Sequence, residues 1–442
     1  MLIMPAVWGF IYVRPEQVHL SYSVYVAGGP EGWSDKFRFN ATKDGSDWSP
    51  RLIVYGDMGN ENARALPYLQ LDAQRGQFDA VLHAGQLQHN MLVFQNDAKV
   101  GDEFMRQIEA IAAYVPYMTC VGNHESAYNF SNYRNRFTMP GGDGTNMYFS
   151  WNIGPAHIIS FNTEVYYSRH ATTENIKRQY DWLEADLQEA NQPANRAARP
   201  WIITMGHRPM YCSNDDSKLR SNPSNPIRNG TAAFWPNLED LFYKYGVDLE
   251  FYAHKHSYER LFPMYKSKVC NGSGSDPYTN PSGPVHIITG SAGNKEGQSK
   301  FQRKPSAWSA FRTADYGFTI MDIINSTHLA LNQVSIEKEG QIIDSVVLVK
   351  DKHGAGLYNC VWDINCRSEG PRNLPEMMGY YMSVVNDCMS GEADTMKSED
   401  ELRSLGYAAD RLTMDIRGWV SERWMGGRQR DKNDDNFRGF RI

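Results

Sequence analysis

The chain has 442 residues, 41% of them hydrophobic and 12% aromatic, enough to bury at least one large core, and its length allows two or three domains. A net charge of −6 with both signs interspersed leaves no basic footprint for nucleic acid or an anionic membrane surface, and the aromatic content argues against disorder. No apolar run approaches the ~18–20 residues of a membrane span.

The first residues, MLIMPAVWGFIYV, are apolar but lack a basic n-region and a small-residue cleavage site; a buried strand or a ragged terminus fits them as well as a signal peptide. Two strand-like fragments follow, QVHLSYSVYV (17–26) and KFRFNAT (36–42), split by the turn signal GGPEGW (28–33). An isolated hairpin is marginal at best, so residues 1–50 are expected to form a β remnant rather than a whole sheet domain.

From Arg51 to about Glu296 strands alternate with helices. The strands read RLIVYG (51–56), AVLHAG (80–85), PYMTCVG (116–122), HIISFN (157–162), PWIITMG (200–206), VDLEFYA (247–253) and VHIITG (285–290). Helical spacing lies between them in 60–76, where Pro67 must sit in a first turn or at a kink, in 101–114, and in 173–192, where Ile176, Tyr180, Leu183 and Leu187 share a face. Such alternation predicts an α/β layer architecture. Residues 316–350 return to strands that complete a sheet. The segment 351–442 differs: it opens as loop, carries a Ser398…Glu401 capping box and ends in mixed charge, so an extension, helical in part and otherwise disordered, is expected.

Polar residues follow five of these strands. Asp57 follows the first; Asn123 and His124 follow the strand ending at Gly122; His207 follows Gly206; His254 and His256 follow in an H-x-H; Gln86 and His89 follow Gly85. Ligands bind outside the carboxyl ends of strands in open α/β sheets, so these side chains can converge. One histidine at a strand end is ordinarily structural, but a carboxylate, an amide and several imidazoles at successive strand ends are hard to explain as packing. Mixed oxygen and nitrogen donors suit zinc, iron or manganese rather than magnesium or calcium. Two such ions form the arrangement that activates water and clamps a phosphoryl group.

Five N-x-S/T sequons, at Asn40, Asn129, Asn229, Asn271 and Asn325, point to glycosylation and to a secreted, lysosomal or other lumenal location. The six cysteines lack metal spacing; Cys360 and Cys366 are close enough in sequence for a small loop disulfide, although spacing alone does not decide the pairing.

The blocks GDMG (56–59), GNHE (122–125), MGHRP (205–209) and AHKHSYER (253–260) resemble the successive motifs of the metallophosphoesterase superfamily. Their surroundings, such as NFSNYRNRFTMPG and GPVHIITGSAG, are most similar to the purple acid phosphatases, especially the animal iron/zinc purple acid phosphatase-like proteins. The resemblance spans roughly residues 15–350. It implies an αββα-sandwich core over 51–350 behind a truncated fibronectin-III-like remnant. It also implies a binuclear centre of iron plus a divalent metal (zinc, iron or manganese). Asp57, Gln86, His89 and His256 would hold one ion; Gln86, Asn123, His207 and His254 would hold the other. His124 would contact the phosphate of a small monoester substrate and help protonate its leaving group, while a metal-bound hydroxide attacks phosphorus.

The chain departs from that pattern at GQLQH (85–89), where the family has GDxxY. Gln86 cannot supply the bridging negative charge, and two divalent ions ~3.5 Å apart repel by roughly 19 kcal/mol at an effective dielectric near 20. His89 removes the phenolate, so no purple colour is expected. Ala253 replaces the glycine before H-x-H, and the loop after Cys212 has no histidine, leaving Lys218, Arg220 or Arg228 as candidates to touch phosphate. The function expected is acid phosphatase activity, impaired at the bridge. An impaired pseudophosphatase that keeps the fold, and a phosphodiesterase or nucleotide pyrophosphatase on the same core, are the alternatives. Oligomeric state is not legible.

Overall fold

In a computed structural model the described residues are 21–25, 36–40, 42–85, 98–167, 172–214, 225–230, 237–273 and 275–360. The apolar amino terminus, Gln86, His89, Lys218, Arg220, Cys366 and the extension from residue 361 lie outside them. Strands β1 (Ser21–Tyr25) and β2 (Lys36–Asn40) pair antiparallel, in the places the two fragments predict. Phe37 meets Tyr114 edge to face.

The first half of the core runs β3 (Arg51–Tyr55), α1 (Leu66–Gln74), β4 (Ala80–Ala84), α2 (Ala98–Ala112), β5 (Tyr117–Cys120), α3 (Ser131–Arg136), β6 (Phe149–Ile153), β7 (Ala156–Ser160) and α4 (Thr173–Ala190). Pro67 falls in the first turn of α1, where its missing N–H costs nothing. The chain continues through α5 (Pro193–Ala198), β8 (Trp201–Met205), α6 (Pro226–Asn229), α7 (Leu238–Lys244), β9 (Leu249–Tyr252), β10 (Tyr258–Leu261) and the short ribbon β11 (Met264–Tyr265) and β12 (Lys268–Val269). It closes with β13 (Val285–Thr289), β14 (Ser309–Thr313), β15 (Gly317–Ile323), β16 (His328–Ser335) and β17 (Gln341–Val349).

Two mixed sheets result, ordered β17-β16-β15-β3-β4-β5 and β14-β10-β13-β9-β8-β7-β6. The strands 316–350 do complete a sheet: β15 runs antiparallel to β3, whereas β3, β4 and β5 are parallel. In the second sheet β7, β8, β9 and β13 are parallel. Strand alternation builds the layers. Leu52 and Val54 of β3 face inward onto Trp201, Ile203, Phe251 and Ile287 of the other sheet. Ile53 and Tyr55 face outward onto Leu69 of α1 and Phe104 and Ile108 of α2. Ile202 and Tyr252 face outward on the far side, onto Leu183 and Leu187 of α4 and Phe242 of α7. This is the αββα sandwich, and its parallel strands aim their carboxyl ends at one rim.

Residues 350–360 are bound to this body. Asp248, fully buried before β9, accepts from Lys350 Nζ, from Arg196 Nη2 at 3.2 Å and from the Ile202 backbone N–H at 2.8 Å, with His353 Nδ1 at 3.1 Å. Cys360 is disulfide-bonded to Cys270, not to Cys366, with Cα atoms 5.1 Å apart. Sequence proximity misleads because Cys360 donates its N–H to Tyr243 of α7, whose ring stacks on Tyr265 beside the loop that ends at Cys270. Cys120 is a buried free thiol, and Cys212 is buried as well.

Glu250 of β9 is another buried carboxyl, accepting from Tyr252 Oη at 2.6 Å with His286 Nδ1 at 3.5 Å. Burial pushes its pKa up to about 8 against the Tyr252 hydrogen bond. The folded protein therefore keeps a proton that the unfolded chain releases near pH 4.3, and stability falls as pH rises from there to about 8. The slope is at most about 1.4 kcal/mol per pH unit. Glu250→Gln should flatten it, raising the urea midpoint at pH 8 more than at pH 5; an unchanged slope would refute the assignment.

Candidate metal centre

The rim where β3, β5, β8 and β9 end carries the strand-end residues. Asp57 leaves β3 with φ 55°, and its N–H donates to Gly85 O at 3.2 Å. Its carboxylate is fully buried, and neither oxygen has a well-formed hydrogen bond among the described residues. Burial therefore pushes its pKa well up, opposed by the His254 backbone amide. Gly290, at the end of β13, leaves the room: a Cβ there would lie 2.3 Å from Asp57 Oδ2.

Three further side chains meet at their donor atoms. Asn123 opens a 3-10 turn over Asn123–Glu125 that is held by Gly122 N–H donating to Glu125 at 2.7 Å. Asn123 Oδ1 lies 2.9 Å from His207 Nε2 and 3.0 Å from His254 Nδ1, and the two imidazole nitrogens are 3.2 Å apart. His207 is fully buried, with Nδ1 3.1 Å from Ala84 O; donating there, it presents the Nε2 lone pair to the cluster. Gly85, at φ +79°, makes this fit possible, because a Cβ would come within 2.5 Å of His207 Nδ1. Burial, with Arg208 and neighbouring histidines, holds His207 and His254 well below the ordinary histidine pKa, so both rings are neutral.

This triangle fits a cation. With metal–nitrogen bonds of about 2.0–2.1 Å, neighbouring donors on one ion stand about 3.0–3.4 Å apart. Two neutral imidazoles and an amide oxygen are ordinary zinc-type donors. Among the described residues no group of three or more His, Cys, Asp or Glu forms a metal site; the cluster needs Asn123 as its third corner.

The other predicted site residues gather around it. Asp57 Oδ1 is 3.9 Å from His207 Nδ1. His256 donates Nδ1–H to Gly297 O at 2.9 Å, and its Nε2 lies 3.9 Å from Glu296. His124 Nε2 is 3.6 Å from the other Glu296 oxygen, and burial together with the Arg208 and Lys295 charges lowers its pKa to about 4. Gln86 and His89 fall outside the described residues. Arg228 lies over the Tyr211 ring and donates to Ser267. His83, in the same stretch as Gln86, is a core residue, buried with Nδ1 2.8 Å from Tyr117 Oη. The sequons at Asn129, Asn271 and Asn325 are exposed.

Sequence reasoning passed over four charged neighbours. Glu296 faces both His124 and His256. Lys255, between the two histidines of H-x-H, is buried and its charge acts on Asp57. Arg208 reaches His254 Nε2 with Nη1 at 3.2 Å and is held by buried Glu164. Arg208 and Lys255 had adjacency to the motifs as their signal, in MGHRP and AHKH, whereas Glu164 and Glu296 lie outside both.

Comparison with known proteins gives one answer. Residues 50–258 match the family model for calcineurin-like phosphoesterases, and 283–345 match the one described as iron/zinc purple acid phosphatase-like protein C. The chain is 56% identical over 336 residues to acid phosphatase type 7 of Mus musculus, covering 76% of each. It is 54% identical over 335 residues to acid phosphatase type 7 of Homo sapiens, covering 76% of this chain and 75% of that one. Among solved structures, the purple acid phosphatase PPD1 from yellow lupin (Lupinus luteus) seeds superposes with a TM-score of 0.59 at 24% identity. That match covers 73% of this chain and spans 58% of the lupin chain.

Proposed function

Since the chain belongs to the purple acid phosphatase family of metallophosphoesterases, we propose that it hydrolyses small phosphate monoesters at a metal centre on the rim described above, with the bridge between two ions impaired. The observation that carries this reading is the Asn123, His207 and His254 triangle beside the buried Asp57 carboxylate, whose oxygens have no well-formed hydrogen bond among the described residues. Asn123, His207 and His254 would hold one divalent ion; Asp57, His89 and His256 would hold the other, with Gln86 at the bridging position between them. Bound there, the metals would supply an activated water and neutralise charge on the phosphoryl group.

The chain's own residues do the rest. Ala84 O fixes the His207 tautomer, and Gly297 O does the same for His256. His124, neutral in the protein alone, gains a proton when a phosphate dianion raises its pKa, and stands ready to pass it to the leaving oxygen. With one carboxylate and no phenolate, the donor set favours divalent ions over ferric iron. The sequons and the Cys270–Cys360 bridge support a secreted or lysosomal setting. No helix among the described residues is long and apolar enough to cross a membrane.

A second reading, a relative that keeps the fold and one ion without turnover, is favoured by the buried Lys255 charge and by Gln86. Metal analysis and p-nitrophenyl phosphate assays on zinc- or manganese-supplemented protein at pH 5 separate the two. We expect one tightly held ion per chain and slow, chelator-sensitive hydrolysis. A bound ion with no turnover selects the second reading; no bound ion sinks both.

A further inference from the structure

Arg208 follows His207 directly, and three contacts fix its guanidinium beside the donor triangle. Its Nε lies 2.9 and 3.1 Å from the two Glu164 oxygens. Its face covers the Tyr167 ring at 4.6 Å, and its backbone N–H donates to Thr163 Oγ1 at 3.1 Å. Its Nη1 stands 3.2 Å from His254 Nε2. Glu164 is almost fully buried and is itself braced by Asn162, which caps its N–H at 2.8 Å. The arginine side chain keeps 17% exposure.

The way the pair is made matters. A guanidinium that serves only to neutralise a carboxylate ordinarily offers a two-nitrogen fork. Here Glu164 takes Nε alone, so the edge formed by Nη1 and Nη2 is left over, one imidazole ring away from the donor triangle. Nη1 can donate to His254 Nε2 only while that nitrogen lacks a proton. When His254 offers Nδ1 as a ligand, its proton sits on Nε2, and both Nη groups are released toward an anion.

We propose that Arg208 binds two oxygens of the substrate phosphoryl group and thereby selects dianionic phosphate monoesters over diesters, with Glu164 and Tyr167 as its positioning residues. This rests on the reading of the rim as a phosphate-ester centre. A monoester dianion has three terminal oxygens, so with one facing the metals two remain for the fork. A diester carries a single charge and places its second ester group where one of them belongs.

The test uses the full chain, zinc-supplemented, with inorganic phosphate binding followed by calorimetry. Hydrolysis of p-nitrophenyl phosphate and bis-p-nitrophenyl phosphate is compared for wild type, Arg208→Gln and Arg208→Lys. Arg208→Gln should weaken phosphate binding at least tenfold and raise KM for the monoester, with the diester kcat/KM changed less than threefold. Arg208→Lys, which keeps charge but loses the fork, should recover part of the phosphate affinity. Phosphate affinity within threefold of wild type in Arg208→Gln, or equal losses on both esters, would overturn the proposal. Arg208-dependent phosphate binding without turnover would leave it standing while the proposed hydrolysis fails.

Discussion

Changing Gln86→Asp together with His89→Tyr is expected to raise p-nitrophenyl phosphate turnover at least a hundredfold. That factor corresponds to about 2.7 kcal/mol of transition-state stabilisation, small beside the roughly 19 kcal/mol of ion–ion repulsion that a bridging carboxylate offsets. The surroundings make the missing charge count. Asp57 is the one predicted ligand among the described residues that carries a carboxylate, and the buried Lys255 charge beside it already offsets part of that negative charge. On the proposed reading, a neutral amide at position 86 would leave a second ion with too little negative charge. The double variant should also hold a second equivalent of metal, and with iron it should gain a visible tyrosinate charge-transfer band. Equal turnover and equal metal content in the two proteins would show that Gln86 does not disable the bridge.

The second large effect lies far from the chemistry. Asp248→Asn should destabilise the protein by about 3–5 kcal/mol, because it leaves buried cations without their counter-charge. Burial alone would raise the Asp248 carboxyl, but Lys350, His353 and Arg196 overcome it and hold it well below the ordinary carboxylate range. Lys350 and Arg196 are themselves buried, so neither can turn to water when the carboxylate is removed. The asparagine still accepts from the Ile202 N–H, which confines the loss to charge. Urea unfolding at neutral pH measures it. As pH falls below the unfolded carboxyl pKa of about 3.9, wild type should lose this advantage and the two curves should converge. A difference below 1 kcal/mol at pH 7 would mean that the cluster relaxes around the substitution.

Much of the core was legible because its strands are buried on both faces. Stretches such as LIVY, WIITM and VHIIT admit few other readings once a glycine follows them. Strands β6, β10 and β14 were not legible. The first is a short, half-exposed FSWNI, the second is hidden in the motif YERL, and the third is half-buried throughout and shows no alternation. The short helices α5 and α7 offer too few turns for a periodic signal. The donor triangle was readable because polar residues at strand ends are conspicuous against apolar runs. Arg208, Glu164 and Glu296 were not, because a charged residue in a loop ordinarily faces water, and only folding places Glu164 against Arg208. The Cys270–Cys360 bridge closes a 90-residue separation that no spacing rule could anticipate.

That bridge sets a practical limit on how the molecule can be shortened. A version ending where β17 ends would strip Asp248 of two of its three basic neighbours, Lys350 and His353, and would leave the Cys270 thiol unpaired. It would also uncover Val247 O, which now accepts from Tyr358 Oη at 2.6 Å, and Tyr243 Oη, which now accepts the Cys360 N–H. Any shortened version that keeps these contacts must therefore extend at least to Cys360, eleven residues beyond the end of β17.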